Sequence, residues 1–440
     1  MMKSCLSRQL FVGLAFAVAA IVAPVLSSSA WAADRNQVLE WNQVFVDTLV
    51  ATNTPNASSQ RLGAIVHTAI FDAYNGIEQR YTPIYFQGGA PAGASRRAAV
   101  IAAAYTALAS LFPARQAALD ASYAASVAAL SDDGEDGGEA RERGISWGIE
   151  VANAVLAWRA TDGFNARYPA FFGGTAIGQW RPTPPAFGPM SAQALAFTSP
   201  FVVVNTTQFQ PDPPRGLLSA TYTDDFNAVK ALGRRTGSRR TEDQTALAAF
   251  WEGNASVHWN QAANQICTAN HLSMSDANRL FGVLNIAMAD TAFTIWTAKR
   301  WYGAIATEVT WRPVTAIPLA DLDGNPDTTL DPDWLPLVTT PSHPEYPAGH
   351  PAQNGAAATV LLSRFPDAQT FTLTTRTSAG VDLPSRMYTS ISAARADGDN
   401  ARVWGGMHYP STVTISDGVG EAIANYVNLN AMQAVRGSQK

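Results

Sequence analysis

The chain is poor in the residues that staple a fold, neutralise nucleic acid or build sheets. Only two cysteines, Cys5 and Cys267, occur in 440 residues. Cys5 falls in a segment that reads as a removable leader, so one thiol remains and no intramolecular disulfide can form. Cys267 lies in a helix-patterned segment, 255–269, with no local catalytic signature, and reads as a buried structural residue. Charged residues make up 15% of the chain and the net charge is -5. No basic stripe is available to neutralise a phosphate backbone, which excludes a nucleic-acid footprint. Strand-type alternation is scarce. Past the leader the most apolar stretch is read as 98–112, too short for a membrane span and stopped by Pro113. No twin arginine is present, and Cys5 precedes the apolar run, so neither a twin-arginine route nor a lipoprotein anchor is indicated.

What is present begins with that leader. Lys3 and Arg8 precede an apolar run over 10–26, and Ala30-Trp31-Ala32 supplies a small-x-small cleavage pattern. The expected product is an exported protein, periplasmic or secreted. A hydrophobic content of 47% suffices for a large core. Apolar residues recur at helical spacing in Leu62, Ile65, Val66, Ala69, Ile70, Ala73 and Ile77, and the pattern continues over 98–112 and 144–158. His67 and Asp72 fall on the polar side of the first of these helices, where hydrogen-bonded structural roles are expected. Residues 132–139 read as a solvated acidic loop. Residues 165–216, rich in Pro, Gly and Phe, have no period; a loop of that length is expected to wrap a helical core or cover a site. Helical signal resumes over 221–232, over 241–250 behind a Thr241/Gln244 capping box, and over 275–299. Residues 321–327 alternate oxygen ligands, but Pro326 and Pro332 stand where a calcium loop needs Gly and Glu, so a turn-rich connector is expected. The prediction is an all-α fold of helical bundles. Its divisions are a signal peptide (1–32), an N-terminal helical region with a long loop (33–216) and a C-terminal helical domain carrying the site (217–440).

The chemistry concentrates in the last third. Pro347-Ala348-Gly349-His350 ends a proline-rich arm just before an Ala-rich helical segment. Glycine allows close backbone approach, and a helix N-terminus presents free N–H groups with partial positive charge. Trp311-Arg312-Pro313 and Arg402-Val403-Trp404-Gly405-Gly406-Met407-His408 add two guanidinium forks and a further imidazole. Together these are the parts a tetrahedral oxoanion needs: permanent cations, a backbone donor and a mobile proton.

In these motifs the sequence resembles the vanadium-dependent haloperoxidase and type 2 phosphatidic acid phosphatase superfamily, particularly its bacterial haloperoxidase-like branch. The superfamily pattern is a Lys seven residues before Arg-Pro, then Pro-Ser-Gly-His, then Arg followed six residues later by His. Arg312-Pro313, then Pro347 with Gly349 and His350, then Arg402 with His408 match it in order. Glu345-Tyr346-Pro347, the run 355–361 and the segments 61–77, 250–260 and 290–299 extend the likeness. The resemblance implies that Arg312, Arg402 and the Gly349 N–H hold the oxygens of vanadate or phosphate. It makes His408 the vanadium ligand, or the phosphohistidine nucleophile of a phosphatase, and His350 the acid/base group. The implied substrates are hydrogen peroxide and halide, with vanadate as cofactor; the alternatives are a metal-free acid phosphatase acting on phosphate esters and a non-catalytic oxoanion binder.

Three departures stand out. Ala348 replaces the family serine, and losing one neutral hydrogen bond should weaken oxoanion affinity by roughly tenfold at most. Ile305 occupies the lysine position. The candidate Lys299 would lie about 220° round and about 20 Å from Arg312 along a continuous helix, so it reaches the pocket only if the chain loops out near Gly303. Thr412 stands where the family often has an Asp, so the contact orienting His408 must come from elsewhere, with Asp417 too far along to assume. His343, seven residues before His350, is a weak pointer to halide tuning towards bromide.

Overall fold

The computed structural model describes residues 36–435 except 378 and 379, so the leader read in residues 1–32 lies outside it. Among the described residues the fold is carried by α1 (Gln37–Ala51), α2 (Asn56–Glu78), α3 (Arg96–Leu111), α4 (Gln116–Ala128), α5 (Gly138–Ala160), α6 (Ala220–Leu232), α7 (Glu242–Phe250), α8 (Ala255–Ala269), α9 (Met274–Gly303), the single turn α10 (Pro313–Ala316), α11 (Gly349–Leu362), α12 (Ile391–Trp404) and α13 (Pro410–Asn430). Two three-residue strands, β1 (Phe371–Leu373) and β2 (Arg386–Tyr388), pair antiparallel. The all-α expectation holds.

Helix α9 is the axis of the molecule. It packs against α2, α11 and α13, and touches α1 and α8. Of the described helices it alone is long and apolar enough to cross a membrane, and 94% of that window is buried inside the protein. It serves as the core of a helical assembly. One continuous apolar cluster runs from Val38 to Met432 and is shared by helices on both sides of residue 216. A second joins α6 to the segment after α9 through Tyr222, Phe226, Trp311, Trp334 and Tyr409.

Helices α11 and α13 are pressed backbone to backbone. A Cβ on Gly420 would lie 1.9 Å from the Ala352 carbonyl oxygen, and one on Gly355 would lie 2.2 Å from that of Asp417. Any side chain there forces the helices apart, and α11 is the helix that opens with Gly349 and His350. The capping box of α7 forms as predicted, with the Thr241 side chain accepting from the Gln244 N–H. By contrast α11 starts at Ala348 with no side-chain cap, leaving its first amides for another acceptor.

The long irregular segment is a strap. The Asp290 carboxylate on α9 accepts from the N–H groups of Phe201, Val202 and Val203 at 2.7, 2.8 and 3.0 Å. Tyr302 and Tyr346 donate to the carbonyls of Pro211 and Asp212, both at 2.6 Å, and Ser342 donates to Gly188 O, also at 2.6 Å. The strap thus pins the arm before His350 against α9. Asp72 plays the same part on α2, accepting from Ile84, Tyr85 and Phe86.

Two expectations are corrected. His67 has no hydrogen bond at either ring nitrogen. It is buried, stacked 5.3 Å from Phe281 and edge-on to Phe45, and burial lowers it to about 3, so it is a neutral core ring. The polar side assigned to it does not exist, because α2 is covered on nearly all faces. The acidic loop is not simply solvated either: Glu135 grips Arg96 at 2.6 and 2.9 Å, and the buried Asp136 accepts from Ser95 at 2.6 Å. The 321–327 connector is a turn in which the Asn325 N–H donates to Asp323 at 2.8 Å, and no group of metal-ligating side chains is found among the described residues.

Candidate functional site

The residues singled out in the sequence converge from five places in the chain. Lys299 lies in the last turns of α9, which stops at Gly303. Residues 304–312 then leave the helix, so the six extra residues loop out and the angular mismatch with Arg312 disappears. Ile305 turns into an apolar patch with Ala298, Tyr302 and Tyr346. Arg312 is the residue before α10, Gly349 and His350 open α11, Arg402 lies near the end of α12, and His408 sits in the turn into α13. The proline arm between residues 340 and 348 runs through the middle and includes a cis Tyr346-Pro347 bond.

The Lys299 ammonium is fully buried and donates to the carbonyls of Pro344 at 2.6 Å and Glu345 at 3.2 Å. Arg312, also fully buried, spreads its fork across the pocket. Its Nε donates to His343 O at 3.0 Å, Nη1 donates to Met407 O at 2.8 Å and lies 3.0 Å from His408 Nε2, and Nη2 lies 2.8 Å from His343 Nδ1. Arg402 donates from Nη1 to Trp251 O and from Nη2 to the Met407 sulfur, both at 3.2 Å, while its buried Nε has no partner. His350 Nε2 donates to Gly253 O at 3.1 Å, which leaves Nδ1 as the lone-pair nitrogen of the neutral ring. His343 packs with its ring 5.3 Å from that of Trp296. The same indole closes over Gly349, where a Cβ would come within 3.4 Å of it.

The orienting group for His408 is Glu345. Its Oε1 accepts from His408 Nδ1 at 2.8 Å and from the Tyr409 N–H at 3.1 Å, and its Oε2 accepts from Thr412 at 3.0 Å. With the proton fixed on Nδ1, Nε2 carries the ring's lone pair, which accepts from Arg312 Nη1 at 3.0 Å; an unprotonated Nε2 is the state a metal-ligating imidazole requires. Thr412 therefore acts through Glu345, and Asp417 pairs with Arg395 instead. Sequence reasoning missed this role for Glu345. The available signal was that Glu345 is the single acidic residue in the 340–351 arm, a lone carboxylate where four prolines leave little freedom. Ser416 also went unnoticed; it accepts from the Ala348 N–H at 2.7 Å.

Electrostatically the pocket is short of negative charge. Burial pulls Arg312 down to about 9 and Arg402 to about 10, leaving both cationic at neutral pH. Burial, then repulsion from Arg312, holds Lys299 well below the usual ammonium range. Glu345 is pushed up to about 7 by burial, against the pull of Arg312 and Lys299. His350 is held well below the imidazole range by desolvation and then by Arg402, and His408 by desolvation and then by Arg312. Two buried guanidiniums and the Lys299 amine thus share two carboxylates, Glu345, which is committed to His408, and Glu252, which is drawn to Arg402. Unpaired buried charge is costly, and the orphaned Arg402 Nε marks where a partner belongs. A compact anion with several oxygens fits this donor set.

The sequence model of the VCPO second helical-bundle domain matches residues 279–437, which contain Lys299, Arg312, His343, Gly349, His350, Arg402 and His408. No curated protein matches the chain. Among solved structures, that described as the first bacterial vanadium-dependent iodoperoxidase superposes with a TM-score of 0.75 at 20% identity, covering 91% of this chain and 97% of its own. A holo-type bacterial vanadium-dependent chloroperoxidase superposes with a TM-score of 0.64 at 18% identity, covering 85% and 91% of the two chains. The apo-type structure of such an enzyme gives 0.65 at 18% identity, covering 85% and 92%. Residues 279–437 thus resemble the VCPO second helical-bundle domain, and the chain as a whole shares the helical fold of these solved structures.

Proposed function

We propose that this chain is an exported vanadium-dependent haloperoxidase-like enzyme that oxidises halide with hydrogen peroxide. The observation that carries the reading is the unprotonated His408 Nε2, set by Glu345 on Nδ1 and facing the buried Arg312 fork. His408 would bind vanadium through Nε2, while Arg312, Arg402, Lys299 and the uncapped Gly349 N–H would hold the oxygens. Vanadate, when bound, supplies Lewis-acid activation of peroxide. His350, with Nδ1 able to take a proton, moves protons onto and off the oxygens of peroxide. The net change is halide plus peroxide plus a proton giving hypohalous acid and water. His343, fixed between Arg312 and Trp296, stands where it can shape the halide's approach. Export rests on the leader pattern in residues 1–32.

The test is to load the purified protein with orthovanadate and follow bromide oxidation by peroxide, with phosphate-ester hydrolysis assayed separately without vanadate. Bromide oxidation is expected. Ester hydrolysis alone would transfer the same residues to a phosphohistidine mechanism, and neither activity with oxoanion binding retained would leave a non-catalytic binder.

The depressed His350 gives a pH prediction. An anion in the pocket raises the pKa of His350, so the complex binds more protons than the free protein, and affinity must rise as pH falls. Sulfate, which does not titrate in this range, is expected to bind more tightly at pH ~5 than at pH ~8, by at most tenfold per pH unit for one proton. His350→Ala should flatten the slope. Calorimetry showing the same slope in both proteins would remove His350 from the pocket's charge balance.

A further inference from the structure

A cleft of about 490 Å³ lies against the outer side of the oxoanion pocket, within the usual size range of a small-molecule site. A single tripeptide separates the two. On the inner side Trp251 O accepts from Arg402 and Gly253 O accepts from His350. On the outer side Glu252 and Gly253 line the cleft. Its apolar lining is Val46, Leu49, Val50, Pro55 and Val257, of which Val50 and Pro55 present accessible surface. Two of its carboxylates are matched, Asp382 by Arg376 and Glu252 by Arg402 behind the tripeptide, which leaves Asp47. Asp47, exposed on α1, accepts from Gln43 at 2.8 Å and has no cationic partner among the described residues.

We propose that this cleft binds an organic cation with an apolar body, an arylalkylamine, as the acceptor of the oxidant made behind the tripeptide. Val50 and Pro55 take the ring, Asp47 at the rim takes the ammonium, and anionic acids are turned away. The fate of the ligand rests on the haloperoxidase reading; its binding does not. In the transfer, the halogen of hypohalous acid replaces a hydrogen of the electron-rich ring, and the hydroxyl leaves with that hydrogen as water. The halogen is reduced and the ring carbon oxidised, so no further reactant is needed. A hypohalous acid released beside a held acceptor is consumed before it diffuses into solvent.

The test uses the full protein without vanadate and two probes of the same shape and opposite charge, tyramine and p-hydroxyphenylacetate. Calorimetry is expected to show tyramine binding at least about tenfold more tightly. Asp47→Lys, a surface change on α1, should weaken tyramine about tenfold and bring the acid up to or past it, since two exposed charge contacts are altered. Equal binding of the two probes, or an Asp47→Lys protein that distinguishes them as the wild type does, would overturn the proposal. In the vanadate-loaded protein, the same variant should raise the KM for tyramine halogenation and leave bromide oxidation without acceptor unchanged. If bromide is not oxidised by the wild type at all, the haloperoxidase reading falls while the calorimetric result still decides the cleft.

Discussion

His408→Ala is expected to abolish bromide oxidation and to weaken vanadate binding by more than about 100-fold, beyond what loss of a supporting contact to a ligand typically costs. The substitution removes the Nε2 lone pair, which Glu345 keeps unprotonated by fixing the ring through Nδ1 at 2.8 Å. It leaves Lys299, Arg312 and Arg402 in place, so sulfate should still bind within about tenfold of wild type, because one neutral contact is worth roughly 0.5 to 1.5 kcal/mol. That split separates loss of a ligand bond from collapse of the pocket. A variant that oxidises bromide at the wild-type rate would refute the assignment.

Glu345→Ala is expected to lower vanadate affinity by about 10- to 100-fold without touching the bound ion. The carboxylate holds His408 in the tautomer with Nε2 free and satisfies Tyr409 N–H and Thr412. Without it the imidazole can protonate Nε2 instead, and two further donors lose a buried acceptor. Glu345→Gln should recover most of the affinity, because an amide oxygen can still accept from Nδ1–H and from the Tyr409 N–H. A purely structural role for Glu345 would give parallel losses in stability and affinity for Ala and Gln alike. Comparing the two variants' thermal stability with their vanadate affinity therefore decides the matter.

How far these roles could be read in advance depended on sequence distance. Arg312, Gly349, His350, Arg402 and His408 stand in short motifs whose spacing survives in the string of letters, and the structure draws them into one pocket. Helical periodicity likewise located α8 and the capping box of α7. Lys299 was ambiguous because its reach depends on where α9 ends, and a Gly at 303 permits a stop without dictating one. The partnership of Glu345 with His408 crosses 63 residues, and the Asp290 contacts to the strap cross 87 to 89. Periodicity carries no trace of such pairings. His67 was misplaced for a related reason: a polar face can be read only on a helix with a solvent side, and α2 has little of one.

The most direct test of the central claim is the crystal structure of the protein soaked in orthovanadate. The account predicts one vanadate bonded through its metal to His408 Nε2, with Arg312, Lys299 and the now-partnered Arg402 Nε on its oxygens and Glu345 still on Nδ1. Vanadate bound elsewhere, or a pocket that stays without an anion at saturating orthovanadate, would contradict it.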